Sequence, residues 1–204
     1  REPRRALLGI LLEVFGDSAW EHPLVLARFR PAELRVLRTV VARQLQCPLT
    51  SSVGRQFDAL ASLLDVGCRP QFEGEAAMAV QRLAESTGAV AAGPVQVDEA
   101  GVFDWRPCWQ ALLQQQAAGV APAHLARQFH ATLAQVVLAY ARRAEAAVWC
   151  LSGGCFQNRL LLEEAQAALR TQGIRALAPV CYPANDGGLS FGQLAVRRYG
   201  VLPD

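Results

Sequence analysis

The chain has 204 residues, 52% of them hydrophobic and 19% charged, with a formal net charge of +2. That length supports one large domain or two small ones around a substantial core, and near-neutral charge with scattered arginines leaves no electrostatic footprint for a nucleic-acid partner. No run of 18 apolar residues occurs, and the apolar piece from Ala6 to Leu12 is too short to span a bilayer, so no membrane role is expected.

In chain order, apolar residues recur at helical spacing over residues 2–15 (Ala6, Leu7, Ile10, Leu11, Phe15) and again from Pro31 to Gln46 (Leu34, Leu37, Val40, Val41). Pro31 suits a first helical turn. After Leu49-Thr50-Ser51-Ser52, where a hydroxyl is placed to cap, a helix carries Val53, Phe57, Leu60 and Leu64 and is closed by Gly67. On it Arg55 and Asp58 stand three apart. They make either a surface ion pair or, at Asp58, two acceptor oxygens for a ribose-like diol. Glu73-Gly74-Glu75 opens the next helix, Ala76 to about Glu85. Between residues 88 and 104, Val95–Val97 and Val102–Trp105 are separated by Glu99-Ala100-Gly101 and predict one antiparallel hairpin. Helices follow over Trp105–Gln116 and from Pro122 to about Ala147. His130 lies in the second without a histidine at i+4 and reads as a packed side chain, not a ligand.

Val148-Trp149-Cys150-Leu151 reads as a buried strand that breaks at Ser152-Gly153-Gly154 before a helix over Leu160–Leu169 and a second strand over Ile174–Pro179. Paired glycines let amides converge on an anion near a helix N-terminus, although a plain strand-to-helix turn has the same wording. A second glycine pair follows an acidic residue in Asn185-Asp186-Gly187-Gly188. Taken together, the two turns are expected to line opposite sides of one phosphate site, with Asp186 holding the accompanying cation. The six cysteines form no Cys-x-x-Cys pair or zinc-finger spacing and read mostly as small buried hydrophobes. A reducing compartment, the cytoplasm by default, fits that pattern. The start at Arg1 suggests a piece of a longer polypeptide.

Four stretches share an order and spacing: Ser51-Ser52-Val53-Gly54-Arg55-Gln56-Phe57-Asp58, Phe72-Glu73-Gly74-Glu75-Ala76-Ala77-Met78, Leu151-Ser152-Gly153-Gly154 with Gln157-Asn158-Arg159-Leu160-Leu161, and Asn185-Asp186-Gly187-Gly188-Leu189-Ser190 with Gly192-Gln193. This combination resembles the carboxyl-terminal part of the HypF-type carbamoyltransferases of [NiFe]-hydrogenase maturation. The resemblance implies an α/β, helix-rich fold over residues 1–204: the second lobe of an actin/Hsp70/sugar-kinase-like (ASKHA, Kae1-like) fold with helical insertions, its first lobe largely absent. It implies a carbamoyl-adenylate donor, made from carbamoyl phosphate and ATP on a YrdC-like domain of the parent chain. The acceptor it implies is the carboxyl-terminal cysteine of a HypE-type maturation protein, with the product later dehydrated to a cyanide ligand of the nickel-iron centre.

Carried over residue by residue, Asp58, Glu73 and Gly74 meet the ribose, Asn158 the adenine, and Ser152, Gly153 and Gly154 the phosphate. Asp186 joins a divalent metal, iron or zinc, together with histidines from outside this chain. No residue is assigned as catalytic. The chain departs from the family in lacking its paired metal-binding histidines and the Asp-x-Gly-Thr-like loop of the first lobe, and in placing Cys155 where an aliphatic residue is common, a packing change. O-carbamoyltransferases and tRNA threonylcarbamoyl transferases share the nucleotide lobe, but Phe72-Glu73-Gly74-Glu75 and Gln157-Asn158-Arg159 favour the hydrogenase type. A nucleotide-responsive interaction module without chemistry of its own is the alternative from another class.

Overall fold

The computed structural model describes residues 2–200. Its helices are α1 (Pro3–Phe15), α2 (Pro23–Leu26), α3 (Pro31–Ala42), α4 (Val53–Leu63), α5 (Glu75–Glu85), α6 (Arg106–Ala117), α7 (Pro122–Arg143), α8 (Arg159–Arg170) and α9 (Leu189–Tyr199), and its strands β1 (Val148–Cys150) and β2 (Arg175–Leu177). Pro3, Pro23, Pro31 and Pro122 each open a helix, where a missing N–H leaves no intrahelical bond unmade. At α3 the Glu33 carboxylate accepts the Arg30 backbone N–H at 3.0 Å, tying down one of the donors a helix start leaves open.

α4 is the centre of the larger core. Every residue from Gln56 to Leu63 is buried, because α1 packs on one side and α5 on another. Beneath it Phe57 meets Phe129 of α7 edge-on at 5.2 Å, and Trp109 of α6 donates its indole N–H to Gln56 Oε1 at 2.6 Å. That bond satisfies both polar groups, so neither is left to bear a buried desolvation cost. A smaller core lies between the second half of α7 (Ala134, Leu138, Ala141) and α8 (Ala165, Leu169), with Leu151 beneath.

β1 and β2 pair in parallel, Val148 opposite Arg175, Trp149 opposite Ala176 and Cys150 opposite Leu177. Parallel pairing requires a crossover, and α8 supplies it. The helix covers one face only: Trp149 and Ala176 are half-buried, whereas Val148, Cys150 and Leu177 are exposed. The expectation of a buried β1 is therefore corrected to a strand covered on one side. Three further expectations change. α3 stops at Ala42 and α7 at Arg143, with Gln44, Gln46 and Glu145 at positive φ beyond them, a conformation that cannot continue a right-handed helix. The hairpin is reduced to one antiparallel bridge, Val97 to Phe103. Ser52 holds the N-cap position of α4 without a side-chain cap bond; the Thr50 hydroxyl instead accepts the Ser52 N–H at 3.1 Å.

All six cysteines are free thiols, but only Cys108 is buried and Cys155 half-buried, the other four being exposed. The reading of most of them as buried hydrophobes is corrected. Burial pushes the Cys108 thiol up to about 12, which makes it inert. Among the described residues no helix is long and apolar enough to cross a membrane.

Candidate functional site at two glycine turns

The site begins where β1 runs out. Leu151, buried, donates its N–H to Leu177 O at 2.7 Å, and the chain then leaves the sheet through exposed Ser152. Gly153 takes φ 101° and ψ 161°, a region only glycine occupies without strain. A Cβ there would meet nothing within 4 Å, so conformation and not space demands the glycine. Gly154 starts a short 3-10 turn to Gln157, and Asn158 caps α8, its Oδ1 accepting the Leu161 N–H at 3.0 Å.

The Gly153 N–H donates to Ala184 O at 2.7 Å, and this bond seats the second glycine turn beside the first. In that turn Asn185 Oδ1 accepts the Gly187 N–H at 3.0 Å, and a Cβ on Gly188 would lie 2.8 Å from Pro183 O. The two turns thus adjoin, with the Gly153 amide engaged within the protein. An open groove of about 500 Å³ between the end of α7 and β1, lined by Val137, Tyr140, Trp149 and Phe156, has Ser152 at its rim.

Asn158 also connects the turn to α7. Its Nδ2 lies 2.9 Å from His130 Nε2, while His130 Nδ1 lies 2.8 Å from Ala126 O. His130 is wholly buried, and burial lowers its pKa below the usual 6.5. The packed-side-chain reading is right as far as burial goes, but the bond to Asn158 was not foreseen. α4 reaches the same place: the Phe57 ring sits 5.2 Å from the His130 ring, and Cys155 interacts with the Gly54 backbone, which only partly offsets the rise its thiol pKa takes from burial.

Asp58 is buried and pairs with Arg55 Nη1 at 2.5 Å, so the two side chains do pair, but with the carboxylate buried and not at the surface. Glu73 is exposed at the corner before α5, and Gly74 caps α5 at φ 90°. Asp186 is exposed, and no three His, Cys, Asp or Glu side chains among the described residues gather around a point where a metal would sit. One carboxylate by itself is not a metal site. Sequence reading also missed Arg127 and Glu164, which pair at 2.7 Å across α7 and α8. Burial raises the Glu164 pKa, with Arg127 opposing. No local spacing signals a pair made between two helices.

Compared with known proteins, residues 1–193 match the family described as "Carbamoyltransferase, Kae1-like Domain, second subdomain". The chain is 42% identical over 185 residues to the carbamoyltransferase HypF of Rhodobacter capsulatus, covering 88% of this chain and 24% of that protein. It is 37% identical to a HypF homologue of Cupriavidus necator, covering 78% of this chain and 43% of the relative. A crystal structure of full-length HypF in its phosphate- and nucleotide-bound form superposes with a TM-score of 0.86 at 25% identity, over 100% of this chain and 32% of that one. The chain thus spans less than half the length of these relatives.

Proposed function

The chain belongs to the HypF family of carbamoyltransferases, and from that premise we propose that it is the nucleotide-holding lobe of an enzyme that moves a carbamoyl group from carbamoyl-adenylate to a thiol. The observation that carries the reading is the Gly153 to Ala184 bond, which joins two glycine turns at the end of a parallel strand and the start of a helix. The Gly153 N–H is itself taken by Ala184, so the approach to a phosphate rests on backbone free of side chains at the two turns and on a helix dipole that favours negative charge. The nucleotide and phosphate in the HypF relative are consistent with it.

In this proposal Ser152, Gly153 and Gly154 line the phosphate, and Asn158 faces the adenine. Asn158 has one amide N–H and one carbonyl lone pair beyond those its two partners use, the complement of a purine edge. Asp58, Glu73 and Gly74 are assigned to the ribose. The acceptor thiolate attacks the carbamoyl carbon, a C–S bond forms, the bond from that carbon to the phosphate oxygen breaks, and AMP leaves with the electron pair. The enzyme's share is to hold the two reactants at near-attack distance and keep water out. The acceptor is a carboxyl-terminal cysteine of a HypE-type partner, carbamoyl phosphate and ATP enter through a YrdC-like domain outside this chain, and the setting is cytoplasmic. Asp186 would be one ligand toward a divalent metal only if histidines from outside this chain joined it.

Isothermal titration of the protein with ATP tests the reading. Saturable 1:1 binding that weakens in Gly153→Val supports it; ATP binding unaffected by that change places the nucleotide elsewhere.

A further inference from the structure

His130 is a buried titratable group that the proposed chemistry does not use, and its bonds admit one arrangement. A carbonyl oxygen only accepts, so Nδ1, 2.8 Å from Ala126 O, carries the ring proton. The neutral ring then has a bare Nε2, which accepts from Asn158 Nδ2 at 2.9 Å. Asn158 Oδ1 in turn accepts the Leu161 N–H at 3.0 Å. The chain from Ala126 O through His130 and Asn158 to the Leu161 amide runs in one direction, and reversing either side chain breaks two bonds. We propose that His130 is a positioning residue, which locks the Asn158 amide in the orientation that caps α8 and turns its second N–H toward the ligand beside the glycine turn. The ligand half of this statement rests on the nucleotide reading above; the lock does not.

The surroundings favour the neutral ring. Glu85 of α5 draws a proton toward His130, but Arg159 of α8 holds Glu85 at 3.4 Å. Arg127 on α7 itself repels a proton, and α4 contributes the uncharged Phe57 ring. When acid does protonate the ring, Nε2–H faces Nδ2–H, two donors meet, and the amide is released.

The test has two arms on the same protein. In the first, long-range proton–nitrogen NMR of ¹⁵N-labelled protein at pH 7.5 should report the neutral Nδ1–H tautomer of His130, with hydrogen exchange at Leu161 slow. His130→Asn keeps an atom in the Nδ1 position and removes the acceptor for Asn158, so exchange at Leu161 should quicken about tenfold or more. His130→Gln returns an acceptor at the Nε2 position and should restore protection to within about threefold. If His130→Asn does not fold, Asn158→Asp retains the cap and puts a carboxylate against Nε2, which should raise the His130 pKa. The second arm is ATP titration, in which His130→Asn should weaken binding about tenfold and His130→Gln should recover most of it, with the wild-type affinity falling as pH drops through the His130 pKa. A wild-type Nε2–H tautomer, or equal exchange in the Asn and Gln variants, overturns the lock. Absence of ATP binding by the wild type removes the nucleotide reading and the ligand half of the proposal, while the first arm still decides the lock.

Discussion

At the scale of single residues, Asn158 is asked to do more than any neighbour, and its two roles separate by substitution. Asn158→Ala removes the α8 cap and should cost about 1 kcal/mol of stability in urea unfolding, whereas Asn158→Asp keeps the accepting oxygen and should cost less. On the proposed function Asn158→Ala should also weaken ATP binding by about 1–2 kcal/mol, since its partner loses a hydrogen bond; unchanged affinity by calorimetry would remove it from the site. His130 sets a pH dependence. Burial lowers its folded pKa below 6.5, so the unfolded chain takes up the proton first as pH falls. Stability contributed by the neutral ring is complete above pH 6.5 and is lost toward the lowered folded value. Glu164 acts the opposite way, because its raised folded pKa favours the folded state as it takes a proton. The wild type should therefore show a steeper loss of stability below pH 6.5 than His130→Gln, measured by urea midpoints across pH 5–7.5. Some of this was legible from residues alone. The Arg55–Asp58 pair follows from a spacing of three on a helix, but the His130–Asn158 bond joins residues 28 positions apart, and nothing local to either announces it.

At the scale of elements, the two glycines of the first turn make a controlled comparison. Gly153 has a backbone conformation closed to other residues, so Gly153→Ala should destabilise the fold by about 1–3 kcal/mol even though a methyl group has open space there. Gly154 shows neither positive φ nor a close neighbour, so Gly154→Ala should be nearly neutral or slightly stabilising, by loss of unfolded-state entropy. Thermal unfolding of the two variants side by side decides it; equal losses would mean that the turn is held by something other than the conformation of Gly153. The sequence pattern shows both turns, because Gly-Gly between an apolar run and a helical repeat is punctuation that needs no tertiary knowledge. It does not show that the first turn bonds to Ala184, nor that β1 is open on one face. Burial of a strand depends on what lies beside it, and apolar residues in succession read alike whether one face or both are covered. The failed hairpin has a related cause. Residues 96–104 pair with each other only briefly, and the segment is held instead along α7, where Gly93 N–H donates to Thr132 Oγ1 at 2.8 Å and the Arg143 guanidinium donates to Asp98 O at 3.1 Å.

At the scale of the molecule, the exposed surfaces set what this chain does alone. α9 has no buried residue, with Leu194 and Tyr199 at 66% and 71% exposure, and the outward face of β1 and β2 carries Val148, Cys150 and Leu177. In the glycine turns Ser152, Gly153, Gly154 and Asp186 are all exposed. A carbamoyl-adenylate bound there would have protein against its phosphate and adenine and water against its reactive carbon. Orientation of two reactants accounts for several kcal/mol of a transfer barrier, and excluding water protects an acyl-adenylate from hydrolysis. Both depend on a wall opposite the glycine turns, which the proposed first lobe would provide. This chain alone should unfold cooperatively, because its two hydrophobic cores are its own, yet should transfer no carbamoyl group to a cysteine. Supplied with carbamoyl-adenylate and a peptide ending in cysteine, it should leave the thiol unmodified by mass spectrometry beyond the rate seen without protein. Carbamoylation of the peptide at the rate of a full-length HypF would mean that one lobe holds both reactants, and the site would then have to be complete within these glycine turns.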